Sequence, residues 1–65
     1  MFKNYRKKLG LSQVELANIA NLSTRQIQRI EKKQEIPTLP TLKKLVIALN
    51  ISDNDIIDYI KKLNA

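Results

Sequence analysis

Residues 12–32 read SQVELANIANLSTRQIQRIEK, and this stretch decides the fold. A capping box places Ser or Thr at a helix N-cap and an acid or amide three residues later, so that two free N–H groups are satisfied reciprocally. Ser12 with Glu15 fits that pattern, and Ser23 with Gln26 repeats it. The apolar spacing after each start is helical: Leu16 and Ala20 line one stripe, Ile27 and Ile30 the next. Only Asn21-Leu22-Ser23 separates the two segments, and a turn that short forces the helices to cross steeply. Leu22 then plugs the core from the turn, while Ala17 and Ala20 are small enough for close packing.

Outward from this pair, the same reading predicts five helices, over 2–9, 13–20, 24–32, 39–49 and 53–63. Phe2, Tyr5 and Leu9 form the stripe of the first. Leu42, Leu45, Ala48 and Leu49 form that of the fourth, and Ile56, Ile57, Ile60 and Leu63 that of the last. Thr38 starts the fourth helix, where Pro40 in the first turn loses no intrahelical hydrogen bond. Ser52 with Asp55 is a variant capping box for the fifth. Gly10, Asn21 and Asn50 mark stops, being residue types that tolerate the left-handed conformation. No run alternates with period two for long enough to read as a strand. The expectation is an all-α bundle of five short helices in a single domain, 1–65, without linker, repeat or low-complexity segment.

A chain of 65 residues buries only about 60% of the surface that it exposes when unfolded. With no Cys and no His it has neither disulfides nor a zinc knuckle as a staple. Its core must therefore be regular, or a second copy must help to cover it. The hydrophobic fraction of 43% with 28% charged residues excludes wholesale disorder. The longest apolar run, Leu45 to Leu49, is far short of the ~20 residues of a membrane span, and an apolar signal-peptide region is absent at the N-terminus. A small, soluble, intracellular domain is expected, with a native N-terminus because Met1 adjoins the first helix.

Charge is unevenly placed. Lys3, Arg6, Lys7, Lys8, Arg25, Arg29, Lys32 and Lys33 face only Glu15 and Glu31 in the first 33 residues, which carry the whole net charge of +6. From Gln34 onward, four lysines balance Glu35, Asp53, Asp55 and Asp58. Such asymmetry suggests one face that meets a polyanion. The alternative is a set of solubilising lysines.

Leu11-Ser12-Gln13-Val14-Glu15-Leu16-Ala17, then Leu22-Ser23, Ile27, Ile30-Glu31, Pro37, Leu42 and Ala48-Leu49 resemble the Cro/lambda-repressor type of helix-turn-helix regulator, also called the xenobiotic-response-element type. The resemblance covers roughly residues 3 to 57. It departs at Asn21 and Asn50, where the family often has Gly, and at Val14 and Ile19, where polar residues are usual. It implies a regulator of double-stranded DNA, a dimeric repressor on a palindromic operator in a bacterial or phage-infected cytoplasm, with residues 24–32 in the major groove.

On a wheel of 100° per residue, Ile27 and Ile30 point inward with Glu31 beside them. Thr24, Arg25, Gln28, Arg29 and Lys32 occupy the opposite face, which carries no acid. Residues near the N-terminus of a recognition helix reach base edges, so Thr24, Arg25, Gln28 and Arg29 are the expected readers, and the family's base-contacting positions fall on the same four. Arginine bonds guanine O6 and N7 bidentately, and glutamine bonds adenine N6 and N7. The resemblance gives Gln13 a phosphate contact, at a helix N-terminus that itself attracts anions. Lys32, Lys33, Thr38 and Thr41 are further backbone candidates. Arg6 and Glu31 match positions that form a structural ion pair in some members. Ile57, Tyr59, Ile60 and Leu63 have no assigned partner within one copy. They either fold back onto Phe2 and Tyr5 or pair with a second subunit, and a homodimer through the last helix (53–63) is the expectation.

No His or Cys offers a general base, nucleophile or metal ligand, and no glycine-rich phosphate loop is present, so neither an enzyme nor a cofactor is expected, nor a small-molecule site. Asp53 and Asp55 serve a helix start rather than a metal, and few aromatics argue against stacking on single strands. The rival class is a protein-interaction module, antitoxin-like or an adaptor. Apolar anchors on the third helix would mark it, and this helix presents Thr, Arg, Gln, Arg and Lys instead. A further alternative is the DNA-binding piece of a longer signal-sensing regulator.

Overall fold

Each helix start that the capping residues announce is present in the computed structural model, which describes residues 1–63. The elements are α1 (Phe2–Lys8), α2 (Gln13–Ala20), α3 (Thr24–Glu31), α4 (Leu39–Leu49) and α5 (Asp53–Leu63), with no strand among the described residues. Ser12 accepts from the Glu15 N–H while Glu15 accepts from the Ser12 N–H, and Ser23 with Gln26 does the same. Thr38 caps α4, with Pro40 in its first turn. At α5 the box is altered. Ser52 Oγ accepts from the Asp55 N–H, but the Ser52 N–H donates to the Tyr5 hydroxyl, which in turn donates to the Asp55 carboxylate. Tyr5 thus inserts into the cap and fastens α1 to the start of α5.

The first four helices end alike. A residue at positive φ donates to the carbonyl three positions back, and the next residue donates to the carbonyl five back. The left-handed residues are Gly10 (φ 70°), Asn21 (55°), Lys33 (59°) and Asn50 (53°). After Asn21 and Asn50, the following Leu22 and Ile51 turn inward, and Leu11 after Gly10 is half-buried, whereas exposed Gln34 follows Lys33. The end of α3 is therefore the poorly matched one: a lysine occupies a conformation that costs an L side chain roughly 1–2 kcal/mol, and no apolar residue plugs the turn. Lys33→Gly is expected to stabilise the fold by about 1 kcal/mol, raising the melting temperature by roughly 4–8 °C. A thermal melt that fell instead would show that the lysine side chain contributes more than the backbone loses.

Phe2, Leu16, Ala17, Ala20, Ile27, Ile30, Leu42, Leu45, Leu49 and Ile51 form one core, against which Leu22, Ile56 and Tyr59 pack. Leu16, Ile27, Leu45 and Leu49 are fully buried, each contributing about 1.5–3 kcal/mol of transfer free energy. α2 packs on both α3 and α4, and α1 packs across α3 and α4. α5 joins through Ile56 and through Tyr59, whose ring meets Phe2 edge-on at 5.1 Å.

Two expectations at α1 are corrected. The helix ends at Lys8, so Leu9 lies past its last turn and is 52% exposed. The inward position one turn after Phe2 belongs instead to Arg6, 8% exposed. α3 likewise closes at Glu31, one residue before the expected end.

Candidate nucleic-acid interface

The turn Asn21–Ser23 holds α3 across α2, and Ile27 and Ile30 pin its inner side to the core. The rest of α3 follows from helical periodicity. Arg25, Gln28, Arg29 and Lys32 are exposed, and Thr24 is half-buried at the first turn. Among the described residues, the side chains of Arg25 and Gln28 have no hydrogen-bond partner, whereas Gln26 is engaged at the Ser23 cap. α3 therefore presents unengaged guanidinium and amide groups along one side, with an apolar opposite side that fixes its orientation.

The buried ion pair supports α3 from behind. Arg6 Nε donates to Glu31 Oε2 at 2.7 Å and Nη2 to Oε1 at 2.9 Å, a bidentate fork, while Nη1 donates to the Leu11 carbonyl at 2.8 Å. Both side chains are nearly water-free, at 10% and 4% exposure. Gln13 Nε2 also donates to Glu31 Oε1, at 3.2 Å. The side chain assigned to a phosphate is thus anchored on this carboxylate, at the start of α2, and links all three helices at one point.

Burial alone would raise the Glu31 carboxyl, but the bonds from Arg6 and Gln13 and the nearby positive charges of Arg6 and Lys3 bring it below its ordinary value. The same pair raises the Arg6 guanidinium further, chiefly through the bond to Glu31. Because Glu31 is lower when folded than unfolded, its contribution is complete above the ordinary carboxylate range, near 4.3, and is lost as pH falls through the folded value. Glu15, lowered mainly by the bond from the Ser12 N–H, acts in the same direction. Melting temperatures should therefore hold from neutral pH to about 5 and decline below it. Glu31→Gln should flatten that decline; an equally steep acid loss in the variant would assign it to other carboxylates.

Lys32 and Lys33 are exposed beyond the end of α3. Thr38 and Thr41 lie at the start of α4, where the Thr38 hydroxyl donates to Thr41 Oγ1 at 3.2 Å. Tyr59 is half-buried and packs onto Phe2 within the same chain. Burial also raises its phenol. Ile57, Ile60 and Leu63 remain 49%, 41% and 43% exposed. Asp55 serves Tyr5, and Asp58 pairs with Lys62 at 3.0 Å. Among the described residues, no group of three acids could hold a metal ion, and no helix is long and apolar enough to cross a membrane.

One residue the sequence reading did not single out belongs here. Arg29 Nη1 lies 4.0 Å from Glu35 Oε1, an acid that follows α3. The only signal for it was the charge itself, because its approach depends on the reversal at Lys33.

A model of the helix-turn-helix family matches residues 2–56. Neither a curated protein nor a solved structure matches the chain.

Proposed function

The chain belongs to the Cro/lambda-repressor type of the helix-turn-helix family, which comprises DNA-binding regulators, and from that membership we propose that it is a sequence-specific repressor acting as a dimer on a palindromic operator. The observation that carries the reading is the exposed side of α3, where Arg25, Gln28 and Arg29 stand on a helix pinned from behind by Ile27, Ile30 and the Arg6–Glu31 fork. A major groove about 12 Å wide admits one such helix. In this reading Thr24, Arg25, Gln28 and Arg29 meet base edges. Lys32, Lys33, the N-terminus of α2 at Gln13 and that of α4 at Thr38 and Thr41 meet phosphates and set the register.

Support for the dimer comes from α5. Its outer side carries exposed Ile57, Ile60 and Leu63, with Asp53 and Asp55 in its first turn and Lys61 and Lys62 in its last. Two such helices packed antiparallel about a two-fold axis set the acids of each against the lysines of the other while covering the isoleucines. The cellular setting of this reading is the cytoplasm of a bacterium or of a phage-infected cell.

Amide shift mapping with a duplex of mixed sequence tests the interface. Shifts concentrated in α3 and at the starts of α2 and α4 are expected; shifts confined to α1 and α5 would refute it. Sedimentation tests the pairing separately. Dimers at micromolar concentration that dissociate on Ile60→Lys are expected, and a wild-type monomer on DNA as well as off it would remove the dimer.

A further inference from the structure

The geometry points to Glu35 as a specificity-determining residue that positions Arg29 for base reading, an inference that rests on the proposed function. Each other acid in the first 35 residues has a structural duty: Glu15 caps α2, and Glu31 receives Arg6 and Gln13. Glu35 alone among them is paired with a residue of the reading side. It reaches Arg29 because the chain reverses at Lys33, where the Gln34 N–H donates back to the Arg29 carbonyl at 2.8 Å. The Arg29 and Glu35 side chains are 46% and 36% exposed, so the pair does little for the fold.

Its consequences fall on DNA. An acid beside a DNA-facing helix repels phosphate and weakens binding to every sequence. What it returns is order: a carboxylate 4.0 Å from Nη1 draws a long, flexible side chain to one side by charge alone and leaves its N–H donors free for guanine O6 and N7. The same charge discourages Arg29 from turning to the backbone. Glu35 thus exchanges general affinity for discrimination at one base pair.

The test measures binding of the wild type, Glu35→Gln, Arg29→Ala and the double variant to the selected operator, to its single-base-pair variants and to unrelated duplex. Arg29→Ala is expected to abolish preference at one base pair. Glu35→Gln should reduce discrimination at that same pair by about two- to fivefold, the range of an exposed ion pair, while tightening binding to unrelated duplex. In the Arg29→Ala background, Glu35→Gln should leave every base preference as it is. Equal tightening on all duplexes with discrimination intact would overturn the inference, making Glu35 only an electrostatic brake. Unchanged preferences in Arg29→Ala would overturn it by removing Arg29 as a reader. If Arg25→Ala still lost a base position, the proposed function would survive that result.

Discussion

Glu31→Ala is expected to remove about 3–5 kcal/mol of stability, the cost of leaving one member of a buried pair alone. The variant strips Arg6 of two hydrogen bonds and Gln13 of one, at a point where the two charged side chains are 10% and 4% exposed. A domain of this size has of order 3–10 kcal/mol in total, so a substantial part of the population should be unfolded at 37 °C. Circular dichroism melts check this, at roughly 4–8 °C of melting temperature per kcal/mol. Replacing both partners with apolar residues, as in Arg6→Met with Glu31→Leu, should cost much less, because no charge is stranded. A single variant that lost only a few degrees would mean that water reaches Arg6 and that the pair merely orients α1 against α3.

The second large effect is on recognition. Arg25→Ala should cost about 1–3 kcal/mol in binding the operator, with the loss concentrated at one base pair. Arg25 is exposed on the first turns of α3 and, among the described residues, is held by no hydrogen bond, so its removal leaves the fold unchanged. The measurement is affinity for the operator and for each of its single-base-pair variants. A uniform loss across all of them would make Arg25 a phosphate contact, since phosphate contacts position the protein without reading sequence.

Much of this architecture is written locally. Ser12, Ser23 and Thr38 announce helix starts because a side-chain oxygen needs only the N–H groups two or three residues on. Asn21 and Asn50 announce stops because their residue type suits positive φ. The outward side of α3 follows from period alone once Ile27 and Ile30 are assigned inward. What the sequence does not reveal depends on distant segments. Leu9 fits the apolar stripe of α1 but lies outside it, since the chain is already turning at Gly10 and Arg6 takes the inner place to meet Glu31. The packing of Tyr59 on Phe2 joins segments more than fifty residues apart. The altered cap at Ser52 requires Tyr5, 47 residues away. Lys33 gives no warning of its left-handed backbone, because lysine has no preference for it, and without that reversal the approach of Glu35 to Arg29 has no basis.

In the proposed function, α3 reads the sequence of double-stranded DNA as one half of a two-fold pair. Selection of bound molecules from a pool of random duplexes at near-physiological salt tests it most directly. A palindrome with half-site centres about 10 bp apart, one helical turn, is expected. Recovery of no enriched sequence would contradict it and move a protein partner to the front; an unpaired half-site would contradict the dimer alone.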